Sequence, residues 1–168
     1  ESDLGKNVGQ CYVTDTATGA GKGKNTGKIL SNVMKAPRDT VPFLQVTSEL
    51  GIDPYTQVVS CPQSVGYGGA MGPAQFIPST WILYKSRLTS TLGGGVPNPW
   101  NARTAFFASA MLLADNGADG GTLESERRAA LRYYAGGNWN NPAFASYGTR
   151  VMGFAAEFQK DIDVLEGR

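Results

Sequence analysis

Gly66-Tyr67-Gly68-Gly69-Ala70-Met71-Gly72-Pro73-Ala74-Gln75-Phe76-Ile77-Pro78-Ser79-Thr80-Trp81 is the stretch on which the reading of this chain turns. Four glycines fall within seven residues, followed by one amide, then apolar residues and the start of a helix. Glycines at that density let the backbone take positive φ and let a ligand come close to it. Gln75 is the one long polar side chain in the segment, and it offers both a donor and an acceptor. A surface turn leading into a helix is the plainer reading of the same residues.

The rest of the chain narrows the choice. Its 168 residues suffice for one domain with a real core, and 41% hydrophobic residues argue against disorder. Fifteen basic and 14 acidic residues leave a net charge of +1, so no field of one sign recruits nucleic acid or an anionic membrane. No apolar run is long enough to span a bilayer. The chain opens at Glu1 without a Met, and Glu1 to Gly5 reads as the last turn of a helix. The domain is therefore expected to be cut at its N-terminus, and a missing targeting sequence does not argue for the cytoplasm.

There is no histidine, which removes Ser-His-Asp and Cys-His machinery and most zinc sites. Acid–base chemistry must fall to Asp, Glu, Tyr or Lys. No metal and no cofactor is expected. Cys11 and Cys61 are the only thiols. Two buried free thiols are one reading. Their setting beside glycine- and proline-containing loops favours a disulfide and an oxidising compartment, with a stabilisation of roughly 4 kcal/mol on the chain-entropy account.

Residues 11–35 are rich in Gly, Lys, Thr and Asn and read as an exposed, flexible insertion, a loop or small hairpin. A helix is expected from Thr40, with Pro42 in its first turn, to a stop at Gly51. Ser79 is expected to cap a second helix carrying Trp81, Tyr84 and Leu88. Asn101 should cap a third, Ala102 to Asn116, apolar nearly all round and so the central buried one. A fourth runs from about Leu123 to Tyr134. The last starts at Pro142, with Phe144, Tyr147, Val151, Phe154, Phe158, Ile162 and Leu165 on one face. The period-2 signal of strands is weak throughout, so the domain is mainly α.

Three pieces then line up in chain order: Glu1-Ser2, Gly69-Ala70-Met71-Gly72-Pro73-Ala74-Gln75-Phe76-Ile77-Pro78-Ser79, and Tyr133-Tyr134-Ala135-Gly136. Together they resemble the Glu-Ser, Gly-x-x-Gln and Ala-Tyr-x-Ala-Gly motifs of the lytic murein transglycosylases, which have a lysozyme-like fold. The middle piece is similar to the B type of membrane-bound lytic transglycosylase in particular, as is Asn98-Pro99-Trp100-Asn101-Ala102. The resemblance covers most of residues 38–165. Two positions depart from the pattern. Arg132 stands where the third motif usually has Ala. Gly66 stands where the B type often has a hydroxyl residue nine positions before the Gln, with Ser64 nearby.

The resemblance implies a single catalytic acid at Glu1, a substrate-contacting amide at Gln75 and a motif tyrosine at Tyr133. It implies cleavage of the β-1,4 bond between N-acetylmuramic acid and N-acetylglucosamine of peptidoglycan, a lyase reaction that leaves 1,6-anhydro-muramyl ends. Glu1 would protonate the glycosidic oxygen and its carboxylate would then take the proton of the sugar's own 6-hydroxyl. Such an acid needs a raised pKa, hence apolar neighbours, for which Met71, Phe76 and Tyr133 are the candidates. Gly72, Ser64, Tyr67 and Tyr134 complete the expected substrate-binding set, and Trp100, Asn138 and Trp139 are further aromatic or amide candidates that core packing would explain as well. A two-carboxylate glycosidase is the nearest rival, with Asp3, Glu49 or Asp53 as its second acid, each more simply a solvated charge or a helix cap. A lysozyme-type hydrolase and a non-catalytic glycan-binding module remain as alternatives. The expected partner is the glycan strand of peptidoglycan, met by a monomer in the periplasm or outside the cell, with no nucleic acid and no membrane span.

Overall fold

The computed structural model describes residues 2–3 and 5–168. By packing, the chain divides into two compact units, the residues up to Ser109 and Ala110–Arg168. The architecture is mainly helical, with five α-helices and a small antiparallel sheet among the described residues.

In the first unit, β1 (Cys11–Asp15), β2 (Ala20–Gly23), β3 (Ile29–Leu30) and β4 (Val58–Val59) form a sheet of order β3-β2-β1-β4. Cys11 and Val13 point inward and are fully buried. The β1–β2 hairpin turns on Asp15, whose carboxylate accepts from the Ala17 N–H at 2.9 Å and from the Thr18 hydroxyl at 2.6 Å. Those two bonds hold its pKa below the ordinary carboxylate value. The stretch 11–35 thus carries three strands. Its last residues are core: Val33 and Met34 are fully buried, and the Met34 N–H donates to Gly19 O at 2.9 Å.

Helix α1 (Thr40–Glu49) buries Phe43, Val46 and Thr47. It stops as its sequence predicts: Gly51 takes φ +65° and Ile52 N–H reaches back to Thr47 O at 3.0 Å. Helix α2 (Pro78–Thr91) buries Trp81, Tyr84 and Leu88. Ser79 does not cap it. Pro78 occupies the first helical position, where its fixed φ suits and no N–H is missed, so Ile77 is the flanking residue and Ser79 lies inside. Asp39, 1% exposed, supplies the acceptor instead, taking the Ser79 hydroxyl at 2.6 Å and facing its N–H at 3.4 Å. The other oxygen of Asp39 pairs with Arg38. Farther along, Lys85 of α2 donates to both oxygens of Glu49 at 2.6 and 2.8 Å. These two ties set the register of α1 along α2.

Helix α3 (Ala102–Asp115) is capped as predicted, by Asn101 Oδ1 accepting from the Thr104 N–H at 3.1 Å. It is not the wholly buried helix its composition suggests. Thr104, Ala105 and Ala108 are buried, whereas Phe106 and Phe107 are 50% and 39% exposed.

In the second unit, α4 (Leu123–Ala135) opens with a reciprocal Thr122–Ser125 cap and ends at Gly136. Helix α5 (Ala145–Leu165) starts three residues later than its pattern suggests, because Asn141 caps a separate short turn, Pro142–Phe144. Gly148 lets α5 approach α4: a Cβ there would lie 3.1–3.3 Å from Leu131 and Arg127 side-chain atoms. The apolar stripe beyond Val151 stays open, with Phe154, Phe158 and Ile162 each at least 43% exposed.

Candidate functional site

The glycine-rich stretch folds as a tight turn held at its neck. Met71 N–H donates to Phe76 O at 2.8 Å and Phe76 N–H returns to Met71 O at 3.2 Å. Between them Gly72, Pro73, Ala74 and Gln75 turn the chain, with Gln75 N–H donating to Gly72 O at 3.1 Å. The neck is itself an extension of the sheet, through the bridge of Met71 to Val59. Met71 is fully buried and Phe76 3% exposed, its ring edge-on to Trp81 at 5.5 Å. These two side chains are the floor that carries the turn.

Gly72 is required by a close approach. It has φ +64°, and a Cβ on it would sit 1.8 Å from Pro99 O. The Pro99–Trp100 segment therefore backs the turn. Trp100, an aromatic candidate for substrate contact, works as an anchor: Nε1 donates to Val58 O at 3.0 Å and the ring meets Phe43 edge-on at 6.4 Å.

Gln75 departs from ordinary backbone. Its φ is +54°, a left-handed conformation that a non-glycine residue seldom adopts. The half-buried side chain folds over the turn, and Nε2 donates to Gly72 O at 2.8 Å. Its Oε1 accepts no hydrogen bond among the described residues.

Upstream, the loop is braced by the end of the 11–35 stretch. Asn32 donates to Gly66 O at 2.6 Å, Gly68 N–H donates to Asn32 O at 3.3 Å, and Met34 packs beneath Gly69. Tyr67 is 51% exposed with the Lys35 ammonium 5.9 Å from its ring centroid, and Ser64 is exposed. The segment is also tied by a disulfide between Cys11 and Cys61, with Cα atoms 5.1 Å apart. The pairing expected from sequence is present.

Glu1 lies outside the described residues. Its neighbour Ser2 is 4% exposed, and the Ser2 hydroxyl donates to Pro73 O at 2.5 Å while accepting the Gly5 N–H at 3.0 Å. The first motif's serine thus touches the turn of the second motif, 71 residues away.

The proposed second carboxylates all have structural partners. Glu49 pairs with Lys85 and Gln45, which hold its pKa below the ordinary value, the Lys85 bond first. Asp53 accepts from the Tyr55 N–H at 2.9 Å, and Asp3 faces Lys6 at 3.5 Å in solvent. The buried carboxylate is one that sequence reading passed over, Asp39. It flanks the start of α1 but its side chain makes no cap bond to that helix. Among the described residues no cluster of His, Cys, Asp and Glu could hold a metal ion.

The third motif belongs to the second unit. Tyr133 is half-buried on α4 and has an interaction partner. Tyr134 is 44% exposed, stacked on Tyr147 at 4.3 Å and edge-on to Phe144 at 5.4 Å. Arg132, at the position that departs from the motif, holds the following loop. Its guanidinium lies 5.3 Å from the Trp139 ring centroid and donates to Asn116 O at 3.2 Å. Asn138 is exposed beside it.

The chain matches no protein-family model, no curated protein and no solved structure.

Proposed function

We propose that the chain is a peptidoglycan lytic transglycosylase domain of lysozyme-like fold, acting on the β-1,4 bond between N-acetylmuramic acid and N-acetylglucosamine. The observation that carries this reading is the Ser2–Pro73 hydrogen bond. It brings the serine of the Glu-Ser pair to the Gly-x-x-Gln turn, two segments 71 residues apart that both carry the resemblance to one enzyme group. A chance match of two short strings gives no reason for them to meet.

In this reading Glu1 protonates the glycosidic oxygen, and the N-acetyl group of the muramoyl sugar assists at the anomeric carbon. The carboxylate then accepts the proton of the 6-hydroxyl, whose oxygen closes the 1,6-anhydro ring. Gln75, on a rigid turn with Oε1 uncommitted, holds a sugar hydroxyl or amide. Tyr133 acts as the motif tyrosine. The Cys11–Cys61 disulfide supports an oxidising compartment, and the periplasm is the one that holds this substrate. No helix of the described residues is long and apolar enough to cross a membrane.

Digestion of purified murein, with products weighed by mass spectrometry, tests the proposal. Anhydro-muramyl ends support it. Reducing ends would make the chain a lysozyme-type hydrolase, and intact glycan that still binds would make it a binding module.

A further inference from the structure

Between the end of α2 and the start of α3 the first unit holds a cavity of about 370 Å³. Thr89, Leu92, Val96, Asn98, Asn101 and Arg103 are among its lining residues, and none of the lining residues is acidic. The oxygens of its two amide side chains are already taken. Asn98 Oδ1 accepts the Trp100 N–H at 2.8 Å. Asn101 Oδ1 accepts the Thr104 N–H at 3.1 Å and its hydroxyl at 3.2 Å. Each commitment fixes which end of the amide is left, and in both it is the NH₂ group. The Thr89 hydroxyl donates its proton to Lys85 O at 3.0 Å.

Arg103 adds the one charge. Its guanidinium is paired with no carboxylate among the described residues; the contact it makes is with the Phe107 ring, 6.0 Å from the centroid. A cavity that offers two amide donors and a guanidinium fork, with no acid to neutralise them, selects an anion. One positive charge matches a carboxylate and undercompensates a phosphate dianion. Leu92, Val96 and Pro97 give the rest of the wall an aliphatic character, and Gly94 and Gly95 leave open space where a chain can lie against the backbone.

The position is informative too. Asn98 and Asn101, which bound the cavity, flank Pro99 and Trp100, which back the Gly72–Gln75 turn. One four-residue segment thus serves both places.

We propose that this cavity binds the carboxylate-bearing stem peptide of murein, with Arg103 as the specificity-determining residue. The identity of the peptide rests on the transglycosylase reading, whereas the preference for a carboxylate rests on the cavity alone.

The test is calorimetric titration of the whole chain with three probes: the synthetic tripeptide alanyl-γ-glutamyl-lysine with free carboxylates, the same peptide fully amidated, and inorganic phosphate. The free peptide is expected to bind, and amidation to weaken it at least tenfold. Arg103→Ala is expected to weaken the free peptide equally while leaving the thermal melt unchanged, since this side chain is exposed and the α3 cap is Asn101. Arg103→Lys should recover only part of the loss. Equal binding of the amidated peptide, indifference to Arg103→Ala, absence of peptide binding, or binding of phosphate alone each overturns the proposal. Because binding is read without turnover, the two readings fail separately. Peptide binding without murein cleavage removes the transglycosylase and leaves the cavity assignment. Cleavage of peptide-free glycan without peptide binding does the reverse.

Discussion

The Ser2 hydroxyl donates to the Pro73 carbonyl at 2.5 Å, from a side chain that is almost wholly buried. The same oxygen accepts the Gly5 N–H, so Ser2 closes its own turn and docks it in one stroke. Removing the hydroxyl leaves a buried carbonyl and a backbone N–H to find other partners. Ser2→Ala should therefore cost about 1–3 kcal/mol of stability and reduce murein cleavage. Urea unfolding with parallel digestion measures both. An unchanged midpoint would show that the contact carries no weight.

Gly72 and Gly66 separate two costs that glycines usually combine. Both have positive φ, at +64° and +94°. A Cβ on Gly66 meets nothing within 4 Å, while one on Gly72 meets Pro99 O at 1.8 Å. Gly66→Ala should cost only the backbone strain, about 1–2 kcal/mol. Gly72→Ala must also push Trp100 and its neighbours away, so its loss should exceed that of Gly66→Ala by about 1–3 kcal/mol. Thermal melts of the two variants decide the matter, and equal losses would mean that the Pro99 approach is not constraining.

The Cys11–Cys61 bond spans 50 residues and pins β1 to the strand end that leads into the glycine loop. On the chain-entropy account its reduction should remove roughly 4 kcal/mol. Unfolding curves with and without a reductant measure the loss, with the double Cys→Ser variant as control. If the reduced and oxidised proteins unfold at the same denaturant concentration, the bond contributes nothing to the fold.

Glu49 gives the chain a modest acid sensitivity. Its pKa lies below the ordinary 4.5, chiefly through the Lys85 hydrogen bond and then that of Gln45. A depressed folded-state pKa stabilises above the unfolded value and the contribution fades as pH falls through the folded one. The loss therefore sets in below about pH 4.5 and stays under about 1 kcal/mol, because the pair is partly exposed. Glu49→Gln should lower stability at neutral pH and flatten its decline in acid, read from unfolding midpoints across that range. A decline as steep as that of the unaltered chain would clear Glu49 of any part in it.

How much of this was legible in sequence depends on where each signal was stored. The bounds of α1 and α4 were readable because their stop and start chemistry is local: Gly51 and Gly136 end them, and Thr122 opens α4. The sheet was legible only as a small hairpin, since two-residue strands such as Ile29–Leu30 are too short to show alternation. Ser79 was misread because the acceptor at the start of α2 comes from Asp39, 40 positions away, and no local pattern encodes that. The exposure of Phe106 and Phe107 was hidden for the opposite reason: composition reports how apolar a helix is and says nothing about which sides are covered. The Gly72–Gln75 turn stood out as a motif, yet the left-handed backbone of Gln75 had no signature, because glutamine is not a residue that turn chemistry selects there.

That last residue offers the sharpest separation of function from stability. Gln75 holds φ +54°, a strain of about 1–2 kcal/mol for a side chain with a Cβ. Against it stands one hydrogen bond from Nε2 to Gly72 O, worth about 0.5–1.5 kcal/mol. Gln75→Gly relieves the first and loses the second, so the two nearly cancel and stability should change by less than about 1 kcal/mol. A turn that existed only for the fold would have no reason to keep a strained glutamine where glycine serves as well. If Gln75 holds substrate, Gln75→Gly should cleave murein at least tenfold more slowly with an unchanged melt, and Gln75→Asn, which tolerates the left-handed region and keeps an amide, should fall between the two. Full activity in Gln75→Gly would remove the residue from the site and leave its strain without a functional reason.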